Sequence, residues 1–275
     1  MLKKEIFTST KTDVNKILSF LNMVRPSPLD IENIRVGGDN DGGYVVPNDF
    51  QGIKYCFSPG VGSISKFEND LTKKKIKCFL ADYSVNPKFE NNLIDFDKKF
   101  IGASSYENYL NLNDWIEKKL DGESNNDLML QMDIEGDEYE VINSLNDKTL
   151  KKFRIILIEF HQLHYLFDNF MFKQIDKAFK KIMKLFHCTH IHPNNSVDFI
   201  FEDKNIIIPP LLEFSFFMWM AARSAALAIR PPIASISFAR CPLPTPPMAG
   251  LQLIWPIVFC VWVNNNVLCP ILEIA

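Results

Sequence analysis

No lysine occurs beyond Phe216, no C-x-x-C pair occurs anywhere, and neither sign of charge dominates. Each of these absences excludes something. The six cysteines, Cys56, Cys78, Cys188, Cys241, Cys260 and Cys269, lack the spacing of a zinc knuckle or a dithiol redox motif, so reduced and mostly buried thiols are expected. A formal charge of -3 and a pI near 6.0 give no electrostatic footprint for nucleic acid or an anionic membrane. Behind the opening MLKKEIFTST there is no apolar stretch of a secretory signal, which makes a cytoplasmic address the expectation. The run Leu251 to Val263 is 13 residues long and is broken by Pro256. A membrane span needs about 20 residues, so no transmembrane segment is expected. What is present is a chain of 275 residues, 47% hydrophobic and 23% charged, long enough to bury a large core without metal or disulfide.

The composition changes near Phe216. Residues 1–216 hold all 24 lysines and three alanines, whereas residues 217–275 hold no lysine, nine alanines and eight of the 16 prolines. Three parts are therefore expected: an N-terminal helical segment over 1–33, a catalytic domain over 34–216, and an anomalous Ala/Pro-rich tail over 217–275. The tail reads as out-of-frame translation or a fusion scar, with a Pro-rich appendage packed on the body as the alternative.

Within the body, Val14, Ile17, Leu18 and Leu21 fall at i, i+3, i+4 and i+7 and predict a helix over about 12–23. Apolar runs at 53–57, 76–81, 128–132, 153–160 and 188–192 read as strands, and helical patterns lie between them at 64–74, 113–120, 138–145 and 172–186. Such alternation predicts an α/β, doubly wound, mostly parallel sheet. Two further extended runs, 197–201 and 206–216, leave no room for a helix and predict a closing antiparallel hairpin.

Ligands of such sheets sit beyond the carboxyl ends of the strands. After the first strand comes Ser58-Pro59-Gly60-Val61-Gly62-Ser63, where the glycines let a backbone approach a nucleoside. Asp82 ends the next strand, 22 residues beyond Gly60, where a carboxylate can accept ribose hydroxyls. A pyrophosphate cofactor usually asks for a third glycine, and Ser65 stands there. The acidic strand ends suit a cation instead, which favours S-adenosylmethionine, with its sulfonium, over NAD. A nucleotide-linked oxidoreductase is the runner-up, and a non-catalytic cofactor-binding protein stays open.

The strand at 128–132 runs into Asp133-Ile134-Glu135-Gly136-Asp137-Glu138. Asp133 is expected to face the crevice, while Asp137 and Glu138 read as solvated acids at a helix start. Glu159 and His161 share a strand face by the period of two, which makes His161 the candidate general base, neutral near pH 7, with Glu159 orienting it. Asp133 completes the candidate catalytic set. His192, Asn194 and Asn195, beyond another strand, are candidate acceptor-binding residues. No fixed metal-ligand spacing assigns a metal. A divalent ion on Asp133, Glu135 or His192 is an alternative way to acidify a hydroxyl.

Taken in order, Arg35-Val36-Gly37-Gly38-Asp39, Asp41-Gly42-Gly43-Tyr44-Val45-Val46-Pro47, Phe57-Ser58-Pro59-Gly60-Val61-Gly62, Phe67-Glu68, Met132-Asp133-Ile134-Glu135-Gly136 and His190-Ile191-His192-Pro193-Asn194-Asn195 resemble the FkbM-type S-adenosylmethionine-dependent methyltransferases, in the branch with a D-G-G-Y segment. The resemblance covers about 34–216. It implies the Rossmann-like, seven-stranded class I methyltransferase sheet, with Gly60, Gly62, Asp82 and Asp133 around the cofactor and Asp41, Gly42, Gly43 and Tyr44 as a lip over its methionine end. It also implies O-methylation of a hydroxyl on a glycan or a small metabolite.

Overall fold

The computed structural model describes residues 9–39, 42–62, 66–123, 127–194, 201–203, 205–218, 261–263 and 266–268. Asp41, Asn195, the run 197–200 and most of the tail lie outside the described residues. Of the tail beyond Met218, the short hairpin Val261–Val263 with Asn266–Leu268 is described.

In chain order the body runs α1 (Val14–Met23), β1 (Asn33–Val36), β2 (Tyr44–Pro47), β3 (Tyr55–Pro59), α2 (Lys66–Lys73), β4 (Lys77–Ala81), β5 (Ile94–Asp97), β6 (Phe100–Gly102), β7 (Tyr109–Asn111) and α3 (Leu112–Leu120). It continues with β8 (Leu128–Met132), α4 (Glu138–Ser144), α5 (Asp147–Leu150), β9 (Phe153–Phe160), α6 (Asn169–Met183), β10 (Phe186–Pro193), β11 (Phe201–Asp203), β12 (Ile206–Ile208) and β13 (Leu212–Met218).

Seven strands form one mixed sheet in the order β10-β13-β9-β8-β3-β4-β5. The pairs among β5, β4, β3, β8 and β9 are parallel, and β13 is antiparallel to both β9 and β10. The expected closing hairpin is thus corrected. The described hairpin, β11 with β12, stands outside the main sheet, and the antiparallel strand of that sheet is β13, inserted between β9 and β10. Strand β13 also continues two residues past the compositional break, with Met218 paired to Phe186.

Side chains alternate across this sheet, and two apolar layers result. Phe57, Phe79, Leu130, Ile156, Ile158, Phe214 and Phe216 pack with α1, α3, α4 and α6 on one face. Cys56, Cys78, Leu80, Met129, Ile155 and Leu157 pack on the other, under α2 and the β1–β2 hairpin. The N-terminal helix is part of the first layer: Ile17 and Phe20 are buried there, and Phe20 meets Phe179 edge-on with ring centroids 5.0 Å apart. Asp13 caps it by accepting from the Asn15 amide, leaving its apolar stripe to face the sheet.

The β1–β2 hairpin lies over the β9 and β13 side of the sheet, where Ser215 Oγ donates to the Val45 carbonyl at 2.5 Å. Its crossing is tight. A Cβ on Gly43 would overlap the Gly38 carbonyl oxygen, so a side chain at Gly43 would part the two strands. No helix among the described residues is long and apolar enough to cross a membrane.

Candidate active site

On the hairpin-covered face, each strand turns from apolar to polar as it approaches the carboxyl edge. Continuing the alternation from Cys56 brings Ser58, from Met129 brings Gln131 and Asp133, and from Leu157 brings Glu159; β13 and β10 add Glu213 and His192, aligned in register with Glu159. Buried polar groups cost free energy unless paired, and here they are paired in a chain. Tyr44 Oη accepts from Gln131 Nε2 at 3.0 Å, and Ser58 Oγ lies between Gln131 Oε1 at 2.5 Å and Glu68 Oε1. Ser58 has one proton for two acceptors. Burial raises the Glu68 carboxyl pKa, and the Ser58 hydrogen bond opposes that rise.

Gly60, at φ +81°, sits where a Cβ would overlap the Asp133 carbonyl oxygen. The glycine loop and the acidic end of β8 are therefore in direct backbone contact, further tied by the Asp133 amide donating to Pro59 O at 3.1 Å. At Gly62 an added Cβ would meet nothing within 4 Å. Asp82 follows β4 as the sequence predicts, and it is 8% exposed. Its Oδ1 accepts from the Ser84 amide and hydroxyl, both at 2.7 Å, so one oxygen serves the local turn. Its Oδ2 has no hydrogen bond among the described residues.

His161 is gathered with Asp133 and Glu159, but its orienting partner differs from the expected Glu159. Glu138, 0% exposed at the first position of α4, holds His161 Nδ1 at 3.0 Å and accepts from the amides of Ile134 at 3.2 Å and Gly136 at 3.0 Å. The solvated reading of Glu138 is thereby overturned: the turn after β8 folds the α4 terminus back onto the end of β9. Nε2 of His161 lies 3.9 Å from Asp133 Oδ1 and 3.4 Å from Glu135 Oε2. Glu135 itself is 87% exposed.

The electrostatics also depart from expectation. Burial acts to lower the His161 pKa, but the hydrogen bond and charge of Glu138, with Asp133 and Glu159, outweigh it and raise the pKa to about 9. The ring is therefore an imidazolium at neutral pH rather than the expected neutral base. Glu159 is pushed up to about 8, by burial first and then by Asp133 and Glu213, against the lowering effect of His161 and of Asn194. Carboxylates this crowded share protons instead of all ionising.

Asn194 Nδ2 donates to Glu159 Oε1 at 2.9 Å, joining that candidate to the cluster. His192 is half-buried and stacks on His190 with centroids 6.1 Å apart; burial and Arg35 lower its pKa. Of the proposed lip, Tyr44 is 2% exposed and lies inside the polar chain, and Gly43 is packed against Gly38. The sequence patterns do not mark Glu138, Gln131, Ser58, Glu68 or Glu213 as site residues. Gln131 and Glu213 carry a readable signal, since Gln131 is the lone polar residue of β8 and Glu213 the lone charged residue of β13.

An uncharacterized protein of Saccharomyces cerevisiae, YGL235W, is 48% identical over 66 residues, 24% of this chain and 37% of that protein. The chain thus spans little more than a third of that relative. A solved chain of the fibrillarin/Nop5p complex is 11% identical, over 62% of this chain and 74% of its own, with a TM-score of 0.36. Residues 86–187, which include Asp133, Glu138, Glu159 and His161 and begin after the Gly60 loop and Asp82, match the family model of the methyltransferase FkbM domain, the family that the motifs resemble.

Proposed function

We propose that this protein is an S-adenosylmethionine-dependent methyltransferase that methylates a hydroxyl on a glycan or small metabolite. The observation that carries the reading is the contact between Gly60 and the Asp133 carbonyl. It joins a nucleoside-type loop to a cluster of titratable side chains at one sheet edge. The strand order, with one antiparallel strand next to β9, fits the class I methyltransferase sheet.

The residues present fit that cofactor. Gly62 leaves its Cβ direction open, Asp82 keeps an oxygen for a ribose hydroxyl, and Asp133 lines the junction. A clustered acidic edge suits a sulfonium and repels a pyrophosphate. When bound, S-adenosylmethionine supplies an electrophilic methyl group. The protein's own task is then alignment of the acceptor oxygen and removal of its proton. Asp133 and Glu159 are assigned the proton, with His161, its ring fixed by Glu138, joining them only above the pH at which it loses its own proton. Asn194 and His192, with Asn195, are assigned to hold the acceptor. Gly42, Gly43 and Tyr44, with Asp41 outside the described residues, are assigned to the cofactor's methionine end.

The test is calorimetric titration with S-adenosylhomocysteine and with NAD, followed by incubation with S-adenosylmethionine and a panel of sugars. Mass spectrometry should find one added methyl group. Binding of NAD instead would move the assignment to an oxidoreductase, and cofactor binding without turnover on any acceptor would leave a binding protein.

A further inference from the structure

The side chains of Asp133, Glu159 and His161 come from the ends of two adjacent strands, β8 and β9. One ligand atom from each lies within 4.8 Å of the others. Two donors on opposite sides of an ion at about 2.2 Å are about 4.4 Å apart, so small side-chain movements bring all three to ligand distance. Proximity among acids is common, and two further features point to a ligand. The first is the anchoring of His161: a fully buried Glu138, itself fixed by two backbone amides, takes Nδ1 and leaves Nε2 directed at the carboxylates. This is how metal-binding imidazoles are commonly oriented. The second is Glu159, 4% exposed, which gives Oε1 to Asn194 and whose other oxygen has no hydrogen bond among the described residues.

We propose that Asp133, Glu159 and His161 form a binding site for a divalent cation of the Mn2+ type, with further coordination positions left for acceptor oxygens. Two carboxylates and one imidazole make a mixed oxygen and nitrogen set, which suits Mn2+ better than Mg2+ or Ca2+ with their all-oxygen preference. The ligand set differs from Asp133, Glu135 and His192: Glu135 reaches to 3.4 Å from His161 Nε2 but is 87% exposed and outside the close-set group of Asp133, Glu159 and His161, and His192 sits two strands from β9. The role of the cation rests on the methyltransferase reading: it would displace the proton of His161 on binding and lower the pKa of an acceptor hydroxyl, whose proton leaves to solvent. The binding itself does not depend on that reading.

The experiment titrates the full chain with MnCl2 by calorimetry, beside Asp133→Asn, Glu159→Gln and His161→Gln, and titrates each sample with S-adenosylhomocysteine. Saturable binding of one Mn2+, weakened about 10- to 100-fold in folded variants, is expected. Electron spin echo spectroscopy of the Mn2+-loaded parent should show modulation from a coordinated imidazole nitrogen, a readout that needs no variant to fold. Absence of saturable Mn2+ binding, or of that modulation, overturns the site. Mn2+ binding without S-adenosylhomocysteine binding keeps the site and removes the methyltransferase reading, and the reverse result does the opposite.

Discussion

The fully buried carboxylate of Glu138 holds His161 Nδ1 at 3.0 Å across the junction of α4 and β9. Through this contact a helix terminus sets the direction and the charge of a ring at the sheet edge. Glu138→Gln keeps the shape and removes the charge, so turnover should fall roughly 10- to 100-fold. The His161 pKa, followed by NMR of the imidazole in the cation-free protein, should drop below the parent's value of about 9. An unchanged titration in a folded variant would show that Glu138 does not govern the ring.

Gly60 and Gly62 should separate packing from ligand approach. Gly60→Ala forces a Cβ into the Asp133 carbonyl at a positive φ, a backbone state costing about 1–2 kcal/mol for an ordinary residue before the overlap is counted. Its melting temperature should fall clearly. Gly62→Ala meets no protein atom within 4 Å, so it should melt like the parent yet bind S-adenosylhomocysteine more weakly. Equal melting temperatures for the two variants would contradict the close contact of loop and strand.

Glu68 offers a pH test away from the acidic edge. Burial raises its folded pKa above the unfolded value, so between those two values the folded state binds more protons than the unfolded state. Stability then declines as pH rises through that window. Glu68→Gln removes the titration while keeping a donor for Ser58. Thermal melts across the pH range should show the variant gaining on the parent as pH rises, and a constant difference would refute the raised pKa of the buried carboxyl.

Much of the scaffold is legible in the sequence where one face is wholly apolar. The runs 128–132 and 153–160 coincide with β8 and β9, because short, mostly apolar runs bounded by polar residues admit few other placements. Strand β5 escapes that reading, since Ile94-Asp95-Phe96-Asp97 is half-buried at a sheet edge and its acids bind Lys119 and Trp115 from α3. The β1–β2 hairpin is hidden by the glycines of its turn. Glu138 misleads for a different reason. An acid at a helix start is ordinarily solvated, but His161 at the end of β9, 23 residues away in sequence, packs onto this one.

The tail makes a separate prediction. Since β13 lies between β9 and β10 and ends at Met218, a chain ending at Met220 should keep the parent's folding transition and cofactor affinity. A chain ending at Leu211 loses β13 and should not fold. If the tail is out of frame, another reading frame past residue 217 should restore a lysine-containing ending. Unfolding of the longer truncation would make the tail a structural part of the domain.

The most direct measurement is calorimetric titration of S-adenosylhomocysteine into the parent and into Asp82→Ala, with NAD as the control ligand. The account predicts binding to the parent, none of NAD, and a loss of about 1.5–3 kcal/mol in the variant as the ribose hydrogen bonds to a charged group are removed. Binding of NAD, or an affinity for S-adenosylhomocysteine unchanged in a folded Asp82→Ala protein, would contradict it.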